Sequence, residues 1–224
     1  MIPPAVVIAA GLGTRLRPLT ERYAKPVLPI DGVPVIALLL RELADAGCPR
    51  VTVVVGHLGG QVRQLLGDGN GFGVELRYAE QPEPDGSADA VRQAGEGPPY
   101  LVLAADTRFP PGSIASVARR ALPAGAIAVR RRPARTPLRV REGLVERVVD
   151  PNGPGPLSGA PLWLVGLPVH DRLCLDERPW ELGNAFQAAI DAGERIAAVE
   201  IGPTRDLTAP LDVLEQNFPY LGGL

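Results

Sequence analysis

The run Gly11-Leu12-Gly13-Thr14-Arg15, followed ten residues on by Lys25, is the part of this 224-residue sequence best equipped for chemistry. Glycines let backbone amides approach an anion closely, and successive amides form a concave nest for phosphate oxygens. Arg15 and Lys25 add the positive charge that a polyphosphate needs. Of the 23 basic residues, 22 are arginine and Lys25 is the single lysine. A chain that uses arginine almost everywhere, and lysine once, marks a place for a compact, flexible ammonium instead of a planar fork. Two other phosphate-loop patterns fail on particular residues. A Walker loop needs Gly-Lys-Ser/Thr before a helix, which is absent. A dinucleotide loop needs a third glycine where Leu16 stands, and an acidic residue after the next strand, where Gly56 follows Val55. Asp106 is the second candidate. It ends an apolar run at the carboxyl edge of a strand, where open α/β sheets bind ligands, although such a residue could also cap a turn.

The elements that must position these groups are legible in the hydrophobic pattern. Val6 to Ala10 reads as a buried parallel strand that stops at Gly11. Pro34 opens a helix through VIALLLRELADAG, which Gly47 ends. Strands are expected at Val51 to Val55, Val74 to Ala79 and Tyr100 to Ala105, with helices at Leu58 to Leu66 and Ser87 to Ala94. This alternation predicts a mainly parallel sheet covered on both faces. After residue 120 the rhythm becomes more antiparallel. Ala124 to Arg132 and Leu138 to Val149 read as strands, Asp150 to Pro161 as a loop, and Leu162 to Val165 as a strand. Helix Trp180 to Ala192, strand Arg195 to Ile201 and helix Ala209 to Asn217 close the chain. The expectation is one Rossmann-like α/β domain over 1–224, with a nucleotide-binding half at 1–120 and an acceptor-binding half at 121–224.

Composition removes several classes of function. Hydrophobic residues make up 46% and charged residues 21%, so the chain can bury a core. A net charge of -2 offers no global basic excess for nucleic acid or anionic lipid. No apolar run reaches the length of a membrane-spanning helix. Two cysteines, Cys48 and Cys174, make no disulfide framework, which points to a reducing cytoplasm. His57 and His170 are too scattered for a zinc site. The cluster Arg130, Arg131, Arg132, Arg135, Arg139 and Arg141 lacks interleaved aromatics and reads as a solvated strand surface or a contact between subunits. The sequence leaves a homo-oligomer open.

Four segments in order resemble the sugar-1-phosphate nucleotidylyltransferases. They are AAGLGTRLRPLT with KPVLPIDGVPVI, Glu80-Gln81-Pro82 with Gly86-Ser87-Ala88-Asp89-Ala90, Leu103-Ala104-Ala105-Asp106, and Arg205-Asp206-Leu207 with Pro210, Asp212 and Asn217. The resemblance implies transfer of a nucleotidyl group from a nucleoside triphosphate (UTP or dTTP) to a sugar 1-phosphate, releasing pyrophosphate. It implies that Gly11, Leu12, Gly13 and Thr14 hold the nucleotide and that Arg15 and Lys25 act on the transferring phosphate. Gln81, Gly86 and Ser87 would meet the base, and Asp106 and Asp206 would share a Mg²⁺. Asp150, Gly159 and Glu181 would face the acceptor. Each has a plain alternative: Asp206 as a helix N-terminal residue, Gln81 as a loop amide.

The chain also departs from the family. Where the acceptor segment commonly reads Glu-Lys-Pro, this chain has Val149-Asp150-Pro151 and no lysine; an arginine such as Arg147 could stand in. Thr204 replaces a tryptophan, and Ala105 stands where glycine is usual. Two other activities therefore stay open: a cytidylyltransferase for phosphocholine or a similar phosphorylated alcohol, and a weakly active nucleotide-sugar-binding regulatory subunit. Asp106-Thr107-Arg108 is no D-x-D motif, which disfavours a glycosyltransferase.

Overall fold

The computed structural model describes residues 1–120, 122–131, 137–150, 157–174 and 178–218. Its first half alternates as the pattern predicts: β1 (Ala5–Ala9), α1 (Val35–Asp45), β2 (Arg50–Val55), α2 (Gly59–Leu66), β3 (Glu75–Glu80), α3 (Ser87–Ala94) and β4 (Tyr100–Ala104). The second half carries α4 (Ser113–Ala118), β5 (Gly125–Arg131), β6 (Arg139–Arg141), β7 (Leu144–Arg147), β8 (Leu157–Val165), α5 (Leu167–His170), α6 (Leu182–Asp191), β9 (Ala197–Glu200) and α7 (Pro210–Asn217). These strands form one sheet in the order β3-β2-β1-β4-β8-β5-β9-β7-β6. The joints β3/β2, β2/β1, β1/β4 and β5/β9 are parallel; those made by β8 and β7 are antiparallel.

The period of two along each strand sorts side chains into two cores. Val7, Val53, Leu101 and Leu103 face α1, where Leu39, Leu40 and Leu43 are fully buried. Val6, Val54, Tyr100 and Val102 face the other way, against α3 and α6, whose Phe186 is fully buried. Burial on both faces is why β1, β2 and β4 read as continuous apolar runs instead of alternating ones. No helix among the described residues is long and apolar enough to cross a membrane.

The second half corrects two expectations and removes the helix N-terminal alternative for Asp206. The strand expected at Leu162 begins at Leu157, because Leu157, Ser158 and Gly159 pair with Arg131, Arg130 and Val129 of β5. Pro161 sits where the register shifts, so a proline inside the strand breaks no ladder. The stretch Leu138 to Val149 is a hairpin, β6 and β7, turned at Glu142 and Gly143, both with positive φ. Asp206 starts no helix. Arg205–Asp206 is a short strand paired antiparallel with Thr107–Arg108.

The topology locates a binding crevice. The chain builds outward from β1 to β2 to β3, then returns to place β4 on the other side of β1. At that reversal the connections leaving β1 and β4 diverge and open a cleft at the strands' carboxyl ends. Gly11 follows β1 and Asp106 follows β4, so both begin at the crevice.

Candidate active site

The segment between Gly11 and Lys25 is stitched to the body at four points. Gly13 has φ +63°, and a Cβ there would lie 2.7 Å from Thr20 Cγ2, so both backbone and space ask for glycine. Thr20 Oγ1 donates to the Gly13 carbonyl at 2.9 Å, closing the loop on itself. Leu16 is fully buried with Leu28, Ile30, Val35 and Leu207, an anchor worth roughly 1.5–3 kcal/mol. From α2, the Gln61 amide accepts from Ala24 N–H at 2.8 Å and donates to the Arg22 carbonyl at 2.7 Å. His57 Nε2 lies 3.0 Å from the Thr20 carbonyl, which gives this histidine a structural place.

The loop so held lines a cavity of about 230 Å³ with Gly11, Gly13, Thr14, Arg15, Lys25 and Asp106. Lys25 Nζ forms an ion pair with the Asp106 carboxylate at its floor; the two side chains are 17% and 22% exposed. A wider cleft of about 600 Å³ adjoins it, and Arg15, Ala104, Asp106 and Thr208 line both. The cleft's far wall carries Arg130, Ser158, Gly159 and Asp206. The ribbon pairing sets Asp206 opposite Thr107, one residue beyond Asp106, and Leu207 N–H donates to the Asp106 carbonyl at 3.2 Å. Two carboxylates a hundred residues apart in sequence thus line one cleft. Asp206 accepts from Arg130 Nη1 at 2.7 Å and from Thr204 Oγ1 at 2.9 Å.

The segment Gln81 to Ser87 lies beside this crevice and is tied to α6. Gln81 is buried, and its amide nitrogen donates to the Gly86 carbonyl at 3.0 Å and to Asp89 at 2.9 Å. It lines a separate recess with Gly56, Gly59 and Gly60. Gly86 has φ +104°, and a Cβ there would meet the Trp180 carbonyl at 2.4 Å. Ser87 Oγ donates to Glu181 at 2.5 Å, and Leu182 N–H donates to the same hydroxyl at 2.8 Å. Arg92 and Arg178 lie over the Trp180 ring at 5.1 and 4.7 Å.

Several expectations change at this level. Gly11, Gly13, Thr14, Arg15, Lys25 and Asp106 come together in the smaller cavity, and Asp206 and Gly159 join Arg15 and Asp106 in the cleft. Leu12 is 42% exposed and is not among the cavity's lining residues. Asp150 does not face the acceptor cleft: it is buried, 2.6 Å from Arg139 Nη2, and its neighbours Val148 and Val149 line the wall instead. Glu181 likewise points at Ser87 and lines no part of the cleft, because the serine at the head of α3 and the amides opening α6 need each other's caps. Arg147 is exposed and outside the cleft. Of the arginine cluster, Arg132 and Arg135 lie outside the described residues, and Arg131 pairs on the surface with Glu200 at 2.7 Å. Arg130 was missed as a site residue. Its side chain is 12% exposed and points into the cleft. A signal existed: it ends the all-buried run Gly125 to Val129, whereas the arginines after it read as surface.

The wider motif residues have structural places. Asp212 caps α7 by accepting from Thr208 and Ala209 N–H at 2.6 and 2.7 Å. Asn217 ties α7 to the turn after Pro29, accepting from Gly32 N–H at 2.7 Å and donating to the Pro29 carbonyl at 2.8 Å.

Known proteins carry the same framework. A family model described as Nucleotidyl transferase matches residues 4–130, which include the glycine loop, Lys25 and Asp106. A glucose-1-phosphate thymidylyltransferase of Streptomyces antibioticus is 32% identical over 249 residues, covering 98% of this chain and 67% of its own. One from Streptomyces griseus is 29% identical over 231 residues, covering 95% and 64%. The chain thus spans about two thirds of the length of these relatives. The crystal structure described as a putative glucose-1-phosphate thymidylyltransferase from Bacillus anthracis superposes with a TM-score of 0.84 at 17% identity, over 96% of this chain and 94% of that one. A family model that spans more than half the sequence places this chain in the nucleotidyl transferase family.

Proposed function

We propose that this protein joins a nucleoside triphosphate, UTP or dTTP, to a sugar 1-phosphate, giving a nucleotide sugar and pyrophosphate. The observation that carries the reading is the common wall of the two cavities. A triphosphate in the glycine-loop cavity and a phosphorylated acceptor in the cleft would meet at Arg15 and Asp106, which line both. The relatives act on glucose 1-phosphate by name. The free thiols of Cys48 and Cys174 suit a reducing cytoplasm as the place of this reaction.

Transfer at phosphorus asks the protein mainly to align two anions and offset their charge. In this reading the amides of Gly11 to Thr14 and the Arg15 guanidinium hold the triphosphate. Lys25 lies against Asp106. With substrate present its ammonium turns to the α-phosphate, where charge grows as the acceptor oxygen attacks. The donor set of Asp106 and Asp206 fits Mg²⁺, which takes oxygen ligands and draws the remainder from phosphates and water. Among the described residues no third acid, histidine or cysteine joins them, so substrate phosphates and water would supply the remaining ligands. Bound there, the ion would act as a Lewis acid on the phosphate oxygens. Gln81 and the Gly86–Ser87 backbone remain the proposed neighbours of the base, with Gln81's free carbonyl edge and the fixed Gly86 as the parts available to it.

Pyrophosphate release tests the reading. Each nucleoside triphosphate is paired with glucose 1-phosphate, N-acetylglucosamine 1-phosphate and phosphocholine in Mg²⁺ buffer. Turnover with a sugar 1-phosphate is expected; turnover with phosphocholine alone would replace the sugar with a phosphorylated alcohol, and nucleotide binding without any turnover would leave a regulatory subunit.

A further inference from the structure

We infer that Arg130, together with Ser158, holds the acceptor's phosphate, supplying from strand β5 the positive charge that the Asp150–Pro151 segment lacks. The inference rests on the two-substrate reading above. Among the described residues only two basic side chains line the acceptor cleft, Arg15 and Arg130. Arg15 also lines the glycine-loop cavity and belongs to the triphosphate. A phosphate dianion set beside Asp106 and Asp206 needs its own counter-charge, and Arg130 is the group positioned to provide it.

The local chemistry fits. Arg130 and Ser158 are directly paired across β5 and β8, so their side chains leave the sheet on the same face. Both are largely buried, at 12% for the Arg130 side chain and 8% for Ser158. Arg130 Nη1 is engaged by Asp206 at 2.7 Å, but its Nε–H has no acceptor, and the Ser158 hydroxyl has no partner. Two adjacent polar groups that the protein leaves unsatisfied in one cleft mark a place that water or a bound phosphate can complete. Arginine's fixed fork suits this role, because one nitrogen can stay on Asp206 while the remainder of the fork takes phosphate oxygens. The Asp206 contact then orients the guanidinium.

The test separates acceptor from nucleotide. Steady-state kinetics with glucose 1-phosphate and UTP or dTTP should show Arg130→Ala raising the acceptor KM roughly 10- to 100-fold, with the nucleotide KM changed less than about 2-fold. Arg130→Lys, which keeps the charge without the fork, should recover part of the loss, and Ser158→Ala should raise the acceptor KM by a smaller factor. Arg131→Ala, the surface neighbour, should match the wild type. Both KM values moving together in Arg130→Ala and Arg130→Lys would assign Arg130 to the framework and overturn the inference, as would an unchanged acceptor KM. If the wild type releases pyrophosphate with no acceptor, the proposed reaction fails, and Arg130 is then judged by calorimetry. Glucose 1-phosphate is titrated into protein holding Mg²⁺ and a non-hydrolysable UTP analogue. Weaker binding to Arg130→Ala than to wild type supports the inference; equal binding, or none to the wild type, ends it.

Discussion

Lys25 and Asp106 sit against each other at the point where two strand ends diverge, with little solvent around either. Each offsets the other's charge, so removing one leaves a partly buried charge behind and, under the proposed function, empties a position beside the transferring phosphate. Two consequences follow at this scale. Asp106→Asn keeps the shape and a hydrogen bond but removes the anion, and Lys25→Ala removes the ammonium. Each should lower kcat by about 10²–10³-fold while the protein still melts cooperatively. Near-normal rates in either variant would move the chemistry elsewhere. Lys25→Arg is the sharper probe, since the site sits in a chain that uses arginine wherever a fork will serve; it should fail to restore the rate.

At the scale of elements, the turn that opens α3 and the start of α6 stabilise each other through one hydroxyl. Ser87 donates to Glu181 and accepts from Leu182 N–H, so a single side chain serves the starts of two helices. Ser87→Ala should cost about 1 kcal/mol for the lost cap. It should also raise the nucleotide KM, because the turn opening α3 keeps only the longer 3.3 Å backbone contact to Glu181. A thermal melt and a nucleotide titration read the two effects separately; a melt unchanged with an unchanged KM would mean that the contact is idle. Gly86 is stricter. Its φ of +104° and the Trp180 carbonyl 2.4 Å from a Cβ leave no room for alanine, so Gly86→Ala should destabilise by about 2–3 kcal/mol and loosen nucleotide binding. A variant as stable as wild type would contradict the packing of Trp180 against this turn.

At the scale of the whole molecule, one continuous sheet underlies both the glycine-loop cavity and the adjoining cleft, so both rest on a single frame. Stability of that frame has a pH dependence with a nameable source. Glu42 of α1 lies under the loop that follows Arg108; burial pushes its carboxyl up to about 7, against the opposing pull of Phe109 N–H at 3.2 Å and of Arg108. An acid whose pKa is higher folded than unfolded keeps its proton longer in the native state. Between about 4.5 and 7 the native chain therefore binds more protons than the unfolded one, and stability falls as pH rises through that window. Glu42→Gln removes the effect. Its melting temperature should match the wild type near pH 4.5 and exceed it increasingly up to pH 7, with a constant gap above. A gap independent of pH would place the titration on another group.

The sequence alone determined what depends on local pattern. The apolar runs that became β1, β2 and β4, the helix α3 with its bounds at Ser87 and Ala94, and the glycine loop with its lysine needed only strand and helix periods and the phosphate-nest logic to be read. Only the tertiary structure decided what depends on distant contacts. Leu157 to Gly159 are strand because β5 lies beside them, and a segment rich in glycine and proline carries no local sign of that. Asp206 reaches the cleft because a two-residue ribbon pairs it with Thr107, a contact too short to leave a period. Asp150 and Glu181 found partners in Arg139 and Ser87, and Arg130 was turned inward while Arg131 was left in solvent. A charged side chain takes its role from whichever opposite charge or cavity the fold brings within reach, and that choice is made between segments, not along them.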